Sequence, residues 1–425
     1  MATTAHGLAD FSNALLEVVQ PYIQDNVPKQ AKLLQTFKKD VDYSNINNAF
    51  YAPIRSSRHG GITNLANDKA KLRTGSSSVV RASVSPKILT GTFDISDLVK
   101  KASMGDKRAV ESDMKFQMRT LTSDFSKNAN RQLWSDGVGV MAQVANSSGS
   151  VGAGTISVVA PDSNLDDGRG DASGWYGSIN GDLDPTKYFA VGQAIGIGTA
   201  AADVGTISSI TSNGSTAGTL VVTGAPAINN SDAIYLVDGD ENAAGTLEVE
   251  GVRSALSVDN TGSYAGIARN SQREWQTQIL GTASNASLSV SDMDVVYKKA
   301  REFAMEGDKY AWFGNVSTVT KYGQLLTALR QTVNKTELVS GWSGLEYQAG
   351  NGQVGVYEDY DCPDGEMILL NLDTWNVCQV ADMGFLDQNM LRRSDYITYQ
   401  QVFTWYMNVL NVCPAANGRM VRRTR

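Results

Sequence analysis

The chain has 425 residues, almost three times the ~150-residue prior for one domain, so two or three domains with ample core are expected. Its 37 basic and 44 acidic residues leave a net charge of −7, which is not the footprint of a dedicated nucleic-acid reader. Charged residues make up only 19%, below the ~25% of ordinary soluble domains, and the extra neutral surface points to burial against partners.

Residues 8–39 carry a weak helical stripe (Leu15, Leu16, Val19, Ile23) interrupted by Pro21 and Pro28. Such an arm buries too little apolar surface to order itself and must lean on something else. Residues 50–55 and 78–84 read as the strands of a hairpin with a Gly- and Asn-rich tip between them. Here the charge balance inverts: Arg55, Arg58, Lys69, Lys71, Arg73 and Arg81 face only Asp68. A lone hairpin is marginal in water. This one is either a device for docking on an acidic neighbour or a solvated loop.

Residues 88–95 read as a further strand, followed by the strongest helix in the sequence. Over 106–134, Val110, Met114, Met118, Leu121, Phe125, Ala129 and Leu133 recur at three- and four-residue steps. Ser103 or Asp106 can cap its start, Gly137 follows its end, and it should run ~43 Å. The composition then shifts. Between 138 and 246 the only basic residues are Arg169 and Lys187, and short β-branched runs (154–159, 204–210, 219–222, 233–237) alternate with Asn-Gly and Asp-Gly turns. That pattern predicts a small all-β unit inserted into an α/β body.

The mixed pattern returns after Glu248. Ser291 is the expected cap of a helix with Asp292 and Asp294 in its first turn, an apolar stripe (Met293, Val296, Tyr297, Ala300, Ala304) and Gly307 at its end. A short buried strand at 310–313 and a helix at 318–329 come next. Strands at 353–357 and 367–370 flank the turn Pro363-Asp364-Gly365. Residues 396–413 alternate Ile397, Tyr399, Phe403, Trp405, Met407 and Val409 at period two, an unusually long strand. Arg419, Arg422, Arg423 and Arg425 make a basic tail that is solvated, salt-bridged or in contact with phosphate.

A search for chemistry is nearly empty. There is no phosphate-binding G-x-x-x-x-G-K-[ST], no H-E-x-x-H and no G-x-S-x-G. Gly192, Gly196 and Gly198 have the wrong spacing for a dinucleotide loop and read as turn glycines. Asp238, Asp240 and Asn242 begin like a calcium loop but meet Ala243 and Val249 where Gly and Glu are needed; Asp162, Asn164 and Asp166 fail similarly. Asx turns are the alternative. Cys362, Cys378 and Cys413 contain no C-x-x-C pair, and His6 and His59 are too few for a relay. Cys362 and Cys378 read as small apolar residues, and His59 as a surface donor. No basic-then-apolar leader follows Met1, and residues 402–412, interrupted by Asn408 and Asn411, are too short to span a membrane. A soluble chain, cytosolic at synthesis, with no catalytic, metal or cofactor site is expected.

Three stretches carry a family resemblance. Phe93-Asp94-Ile95-Ser96 lies between the hairpin and a long helix that ends in Asn130-Arg131-Gln132-Leu133-Trp134-Ser135-Asp136-Gly137. Glu250-Gly251-Val252-Arg253 precedes Tyr264-Ala265-Gly266-Ile267-Ala268-Arg269 and Trp275. The strand at 400–410 runs on to Cys413-Pro414 and a short basic end. In their order and spacing over about nine-tenths of the chain, these resemble the major capsid proteins of tailed bacteriophages, with the Hong Kong 97-type capsid fold.

The resemblance implies an α+β architecture with the following parts. Residues 1–48 are an N-terminal arm and 49–96 an extended hairpin loop with the strand after it. Residues 97–145 are a peripheral domain with a spine helix, and 146–247 an inserted all-β domain. Residues 248–290 connect back to the body, 291–395 form the axial domain, and 396–425 are a long strand returning to the peripheral domain with the basic tail. The implied function is structural: self-assembly as pentamers and hexamers into the icosahedral head around double-stranded DNA. The expected location is the virion capsid, assembled in the host bacterial cytoplasm. Implied partners are further copies of the chain, a portal at one vertex, a decoration protein and DNA contacted weakly, with no membrane.

Two departures from the simplest members matter. The insertion is extra, and no long N-terminal segment serves as a built-in scaffold, so a separate scaffolding protein is expected; with Met1 present, the maturation cleavage of some members is not expected. Some relatives crosslink through a hairpin lysine; Lys69 and Lys71 are the candidates here, and with no assignable partner the resemblance leaves crosslinking open. The residues expected at subunit interfaces are Arg55, Arg58, Lys69, Lys71 and Arg73. Two rival readings share the shell. One is an encapsulin-type nanocompartment; the other makes the insertion a carbohydrate-binding module using Trp175, Tyr176 and Tyr188. A hydrolase using Asp166 and Asp167 is a third and weaker rival.

Overall fold

The computed structural model describes residues 32–40, 45–46, 49–56, 59–64, 71–72, 74–97, 107–137, 139–145, 149–150, 154–159, 184–198, 204–212, 217–224, 227–229, 232–237, 248–258, 260, 262–281, 286–305, 307–329, 345–349, 352–386, 391–392, 397–421 and 423–424. Within these residues the main elements are two six-stranded sheets, a closed barrel and a hairpin sheet, with one long helix against the first sheet.

The first sheet is organised by its longest strand, Thr398–Asn411. Strand Lys87–Ser96 pairs with it antiparallel over ten residues, from Lys87↔Met407 to Ser96↔Thr398. Trp375–Gln379 pairs on the other side, and Lys38–Asp40 extends that edge in parallel. Period-two alternation puts Phe403, Trp405, Met407 and Val409 on one face, and all four are buried. The alternation fails beyond Met407, where Asn408, Leu410 and Asn411 are also fully buried. The cause is cover on the second face. Asn408 Oδ1 accepts from Glu250 N at 3.1 Å, and Tyr264 Oη accepts from Asn411 N at 3.0 Å.

The spine helix, Lys107–Trp134, has 28 residues and is ~42 Å long. Phe125, Ala129 and Leu133 enter the sheet's core, with Phe125 edge-on to Phe403 at 4.8 Å. Val110 and Met114 have side chains outside the described residues. Gly91 lets the helix come close: a Cβ there would lie 2.9 Å from Leu121 Cδ1. The apolar end of the arm leans on this same core. Leu33, Leu34 and Phe37 are buried, and Phe37 stacks on Trp375 at 5.1 Å with 5° between the rings. The earlier part of the arm lies outside the described residues.

The second sheet runs Gln278–Leu280, Gly418–Met420, Met367–Asn371, Tyr310–Gly314, Gly352–Glu358, Leu345–Ala349. Its middle strands are continuous apolar runs because both faces are covered. Alternate residues divide between two cores: Ala311, Phe313, Ile368 and Leu370 join the first, while Trp312, Met367 and Leu369 join a second. Helices Val290–Arg301 and Val316–Leu329 close that second core with Met293, Val296, Ala300 and Tyr322. The first of these is capped by Ser289, not Ser291. Ser289 has the extended backbone a cap needs and its hydroxyl accepts from Asp292 N at 3.2 Å, whereas Ser291 already lies inside the first turn. The helix also stops at Arg301, before Gly307.

Two sequence boundaries shift. Trp375–Gln379, expected in the axial part, belongs to the first sheet because it pairs with Thr398–Asn411. The chain end, expected to stay with the long strand, crosses into the second sheet as Gly418–Met420. The basic tail is therefore not solvated at its described positions. Arg419 is fully buried and forks onto Glu366, with Nε–Oε2 at 2.9 Å and Nη2–Oε1 at 2.8 Å. Arg423 Nη1 donates to Asp292 Oδ2 at 2.7 Å. Arg422 and Arg425 have side chains outside the described residues.

The region expected to be an inserted all-β unit forms a closed six-stranded barrel of Val140–Val144, Gly154–Val159, Ala194–Ile197, Val204–Ser212, Ala217–Thr223 and Ala233–Leu236. Closure removes strand edges, and Ile156, Val158, Ile195, Ile197, Ile207, Leu220 and Ile234 fill its own core. The barrel starts earlier than the expected boundary at 146, since Gln143 pairs with Val159 and Ala142 with Ile234. Gly192 and Gly198 are turn glycines at φ 86 and 71, but Gly196 lies within a strand.

Candidate assembly surfaces and the barrel junction

The hairpin pairs Ala49–Arg55 with Val79–Val84, from Phe50↔Val84 at the root to Arg55↔Val79. Its root is anchored. Phe50, Ala52, Ala82 and Val84 are buried in the first core, and Ser83 N donates to Ala265 O at 2.9 Å. Its outer half is not: Val79 is 66%, Leu72 80% and Ile62 84% exposed. Arg55 and Lys71 are exposed on this projecting half. Arg58, Lys69 and Arg73, the other expected interface residues, lie outside the described residues. Arg81 sits over the Tyr51 ring at 4.2 Å, and His59 Nδ1 accepts from Gly61 N at 3.2 Å within the tip.

The end of the spine helix meets the motif at 250–253, and the motif at 264–269 holds the short helix that follows it. A Cβ on Gly251 would lie 2.3 Å from Leu133 O, so only glycine lets that connection pass. Ala265 and Gly266 turn the Ser263–Tyr264/Ile267–Ala268 hairpin at φ 51 and 77, the left-handed pair of a type I′ turn. Arg269, buried, donates to the carbonyls of Ala255 (2.7 Å) and Ser254, and Trp275 Nε1 donates to Tyr264 O at 2.9 Å. These are structural roles.

A group of polar side chains that sequence reasoning missed joins the barrel to the body. Arg131 forks onto Glu248, with Nη1–Oε2 at 3.1 Å, and Gln132 Oε1 accepts from Val249 N at 3.3 Å. Asn130 Nδ2 donates to Asp361 Oδ2 at 2.7 Å and Asp359 Oδ1 at 3.2 Å, while its Oδ1 accepts from Leu34 N at 3.4 Å. From the barrel side, Tyr188 Oη donates to Asp361 Oδ1 at 3.0 Å and Lys187 Nζ donates to Tyr360 O at 3.1 Å. The Lys187 ammonium also sits 4.3 Å from the Tyr360 ring and 4.6 Å from the Tyr188 ring. Tyr188, a sugar platform only in the rival carbohydrate-binding reading, is thus committed to the junction. Trp175 and Tyr176 lie outside the described residues, as do Asp166 and Asp167.

Burial sets the titration here. It pushes Lys187 down to about 8 against the pull of Asp361 and Asp359, and pushes Asp359 up to about 6. Burial works against the Arg131 charge, yet Glu248 holds that guanidinium more firmly protonated than usual. The Cys362 thiol is buried and pushed well above its ordinary value, which makes it unreactive. Among the described residues no three of His, Cys, Asp and Glu gather as a metal site, and no helix is long and apolar enough to cross a membrane. The would-be ligands Asp162, Asn164, Asp166, Asp238, Asp240 and Asn242 lie outside them.

No family model matches this sequence, and neither does any curated protein. Solved structures do. The "Cyanophage A-1(L) capsid asymmetric unit" aligns over 95% of this chain and 96% of its own, with a TM-score of 0.53 at 14% identity. This chain has the fold of a phage capsid subunit. The capsid of a native GTA particle aligns over 95% and 94% with a TM-score of 0.48 at 10% identity. A holo-SrpI encapsulin complex from Synechococcus elongatus aligns over 96% and 94% with a TM-score of 0.41 at 6% identity. On the capsid fold, the missed junction residues had one signal in the sequence. Asn130-Arg131-Gln132 puts three polar residues where the helix stripe is about to enter the core.

Proposed function

We propose that this chain is the major capsid protein of a tailed phage, with the Hong Kong 97-type arrangement, assembling as pentamers and hexamers into an icosahedral head. The observation that carries it is the match over nearly the full length of both chains, 95% of this one and 96% of a cyanophage capsid subunit. In this reading the first sheet and spine helix are the peripheral domain, and the second sheet with its two helices is the axial domain. The hairpin is the extended loop and the barrel is an insertion.

Physical features agree with a shell. The hairpin's outer half exposes Ile62, Leu72 and Val79 with cations beside them, and a neighbouring copy would supply the apolar cover that the subunit does not. A net charge of −7 suits a container that must not grip packaged DNA, since affinity for DNA grows with every phosphate neutralised. A separate scaffolding protein, a portal at one vertex and a decoration protein are the remaining partners of this reading, and the chain has a structural rather than catalytic role in the virion.

Electron microscopy and sedimentation of the full chain, alone and with a candidate scaffold, test it. Closed thin-walled shells of uniform size are expected. A stable monomer or dimer under both conditions would overturn the reading. Shells that fill with a cargo enzyme instead of DNA would move the assignment to a nanocompartment.

A further inference from the structure

Among the described residues, two sets of hydrogen bonds join the barrel to the body. The first lies at a neck at the end of the spine helix. The chain enters the barrel past Gly137 and Gly139, which adopt φ 89 and 81, and leaves it through residues 248–251. These two connections lie side by side: Ser135 Oγ donates to Val249 O at 3.4 Å, and Arg131 and Gln132 hold Glu248 and Val249. Two connections run side by side here, one of them through two left-handed glycines, and a neck of this kind is where a swing of the barrel would hinge.

The second place is remote in sequence from both connections. The turn at 184–189 is rigid on the barrel. Asp184 Oδ1 accepts from Thr186 N (2.8 Å) and Oγ1 (2.7 Å), its Oδ2 accepts from Ser212 Oγ (2.6 Å), and Phe189 is buried in the barrel core. Its Lys187 and Tyr188 reach the body turn at 359–362, itself braced by Asp361 N–Asp359 Oδ1 at 2.9 Å and by Asn130. We propose that the 184–189 turn is a clasp: closed on residues 359–362 it fixes the barrel's orientation, open it lets the barrel swing about the neck, and the charge on Lys187 sets how firmly it holds. This inference concerns the subunit and stands whether or not the chain forms a shell.

The direction of the charge effect follows from the surroundings. Lys187 faces Asp184 on its own turn, Asp359, Asp361 and Cys362 on the body turn, and the rings of Tyr188 and Tyr360. Arg131 and Glu248 lie on the spine-helix side, and Asp136, Arg253 and Asp364 line the small adjoining cavity. Burial lowers the Lys187 pKa to about 8, so the closed clasp carries a charge it disfavours below pH 8 and is relieved of it above. Lys187 keeps some accessible surface, so solvent screens part of that cost. Burial pushes Tyr188, Tyr360 and Cys362 upward, and Asp359 titrates near 6, so Lys187 is the group of this set that changes between pH 7 and 9.

Single-pair fluorescence transfer tests the clasp. Dyes go on Ser209→Cys in the barrel and Lys299→Cys in the body, in full-length chain carrying Cys413→Ser and diluted into unlabelled chain so that each particle holds one pair. The wild-type arrangement should give one dominant state. Tyr188→Phe removes the hydrogen bond to Asp361 and should raise the ratio of open to closed on the order of tenfold. Asp361→Ala, on the body side, removes the acceptor of the same hydrogen bond and should do the same, so a folding defect in the barrel cannot mimic the result. Raising the pH from 7 to 9 should narrow the wild-type distribution. An open fraction unchanged by both variants would overturn the clasp, and a distribution unchanged or broader at pH 9 would overturn the role of the Lys187 charge.

Discussion

The hairpin and the barrel both leave the body of this protein, yet they are built on opposite principles. The barrel closes its own sheet and fills it with Ile156, Ile195, Ile207, Leu220 and Ile234, leaving no row of unpaired strand groups. The hairpin buries only its root, at Phe50, Ala52, Ala82 and Val84, and carries Ile62 and Leu72 almost bare. A region with its own core says little about its partners. A region without one points to them, because burying its exposed apolar side chains against a neighbour would be favourable.

The largest effect expected from this contrast is on assembly. Reversing Arg55, Arg58, Lys71 and Arg73 to Glu should stop shell formation, seen by sedimentation, while circular dichroism of the subunit stays unchanged. Normal shells from that mutant would mean that the hairpin's charge is merely solvated. The next effect separates the two regions by stability. Phe50→Ala empties a fully buried site in the first core and should cost the body about 3–5 kcal/mol. Leu220→Ala should cost about 2–5 kcal/mol in a transition of the barrel alone, because the barrel has its own core and a narrow neck. Differential scanning calorimetry should show one peak moving in each variant. A single shared peak that moves in both would deny the barrel its independence.

A smaller effect lies where the barrel touches the body. Asp359 is fully buried, and its folded pKa of about 6 stands above the ordinary carboxylate value. The folded state therefore binds this proton more tightly than the unfolded chain does. Its carboxylate costs stability at full value above pH 6, and that cost disappears as the pH falls toward 4. Asp359→Asn keeps an acceptor for Asp361 N without the charge, and should stabilise the protein by at most about 3 kcal/mol at pH 7 and by almost nothing at pH 4. Urea unfolding at the two pH values measures the difference; equal gains at both would place the effect outside the charge.

The elements with strong periodicity are legible in the residue pattern. The 28-residue spine helix, the long strand and four of the barrel strands follow from apolar spacing alone. What escapes has identifiable causes. Val140–Val144 follows the helix without a turn signal strong enough to separate it, so its place in the barrel depends on pairing with residues near 158 and 234. Trp375–Gln379 looks like any buried strand, and only its register with Thr398–Asn411 assigns it to the first sheet. Arg419 reads as part of a basic tail because Glu366, its buried partner, is 53 residues away. Long-range polar pairing leaves no local pattern. The same holds for Lys187 and Tyr188, whose partners are 173 residues distant.

The smallest effect tests the barrel's self-sufficiency at a position where an added side chain would touch nothing. Gly192 turns between strands at φ 86, and a Cβ there would meet no atom within 4 Å. Gly192→Ala therefore changes only the conformational preference of one residue. A left-handed alanine costs about 1–2 kcal/mol, partly offset by the lower entropy of the unfolded chain. The net loss, about 1 kcal/mol, should appear as a small downward shift of the barrel transition with the body transition in place. Gly251→Ala is the counterpart. Its Cβ would lie 2.3 Å from Leu133 O, so backbone must move at the neck, and the body transition should fall by more than the barrel's. If Gly192→Ala lowered both transitions equally, the strain would be passing through the neck, and barrel and body would have to be treated as one cooperative unit.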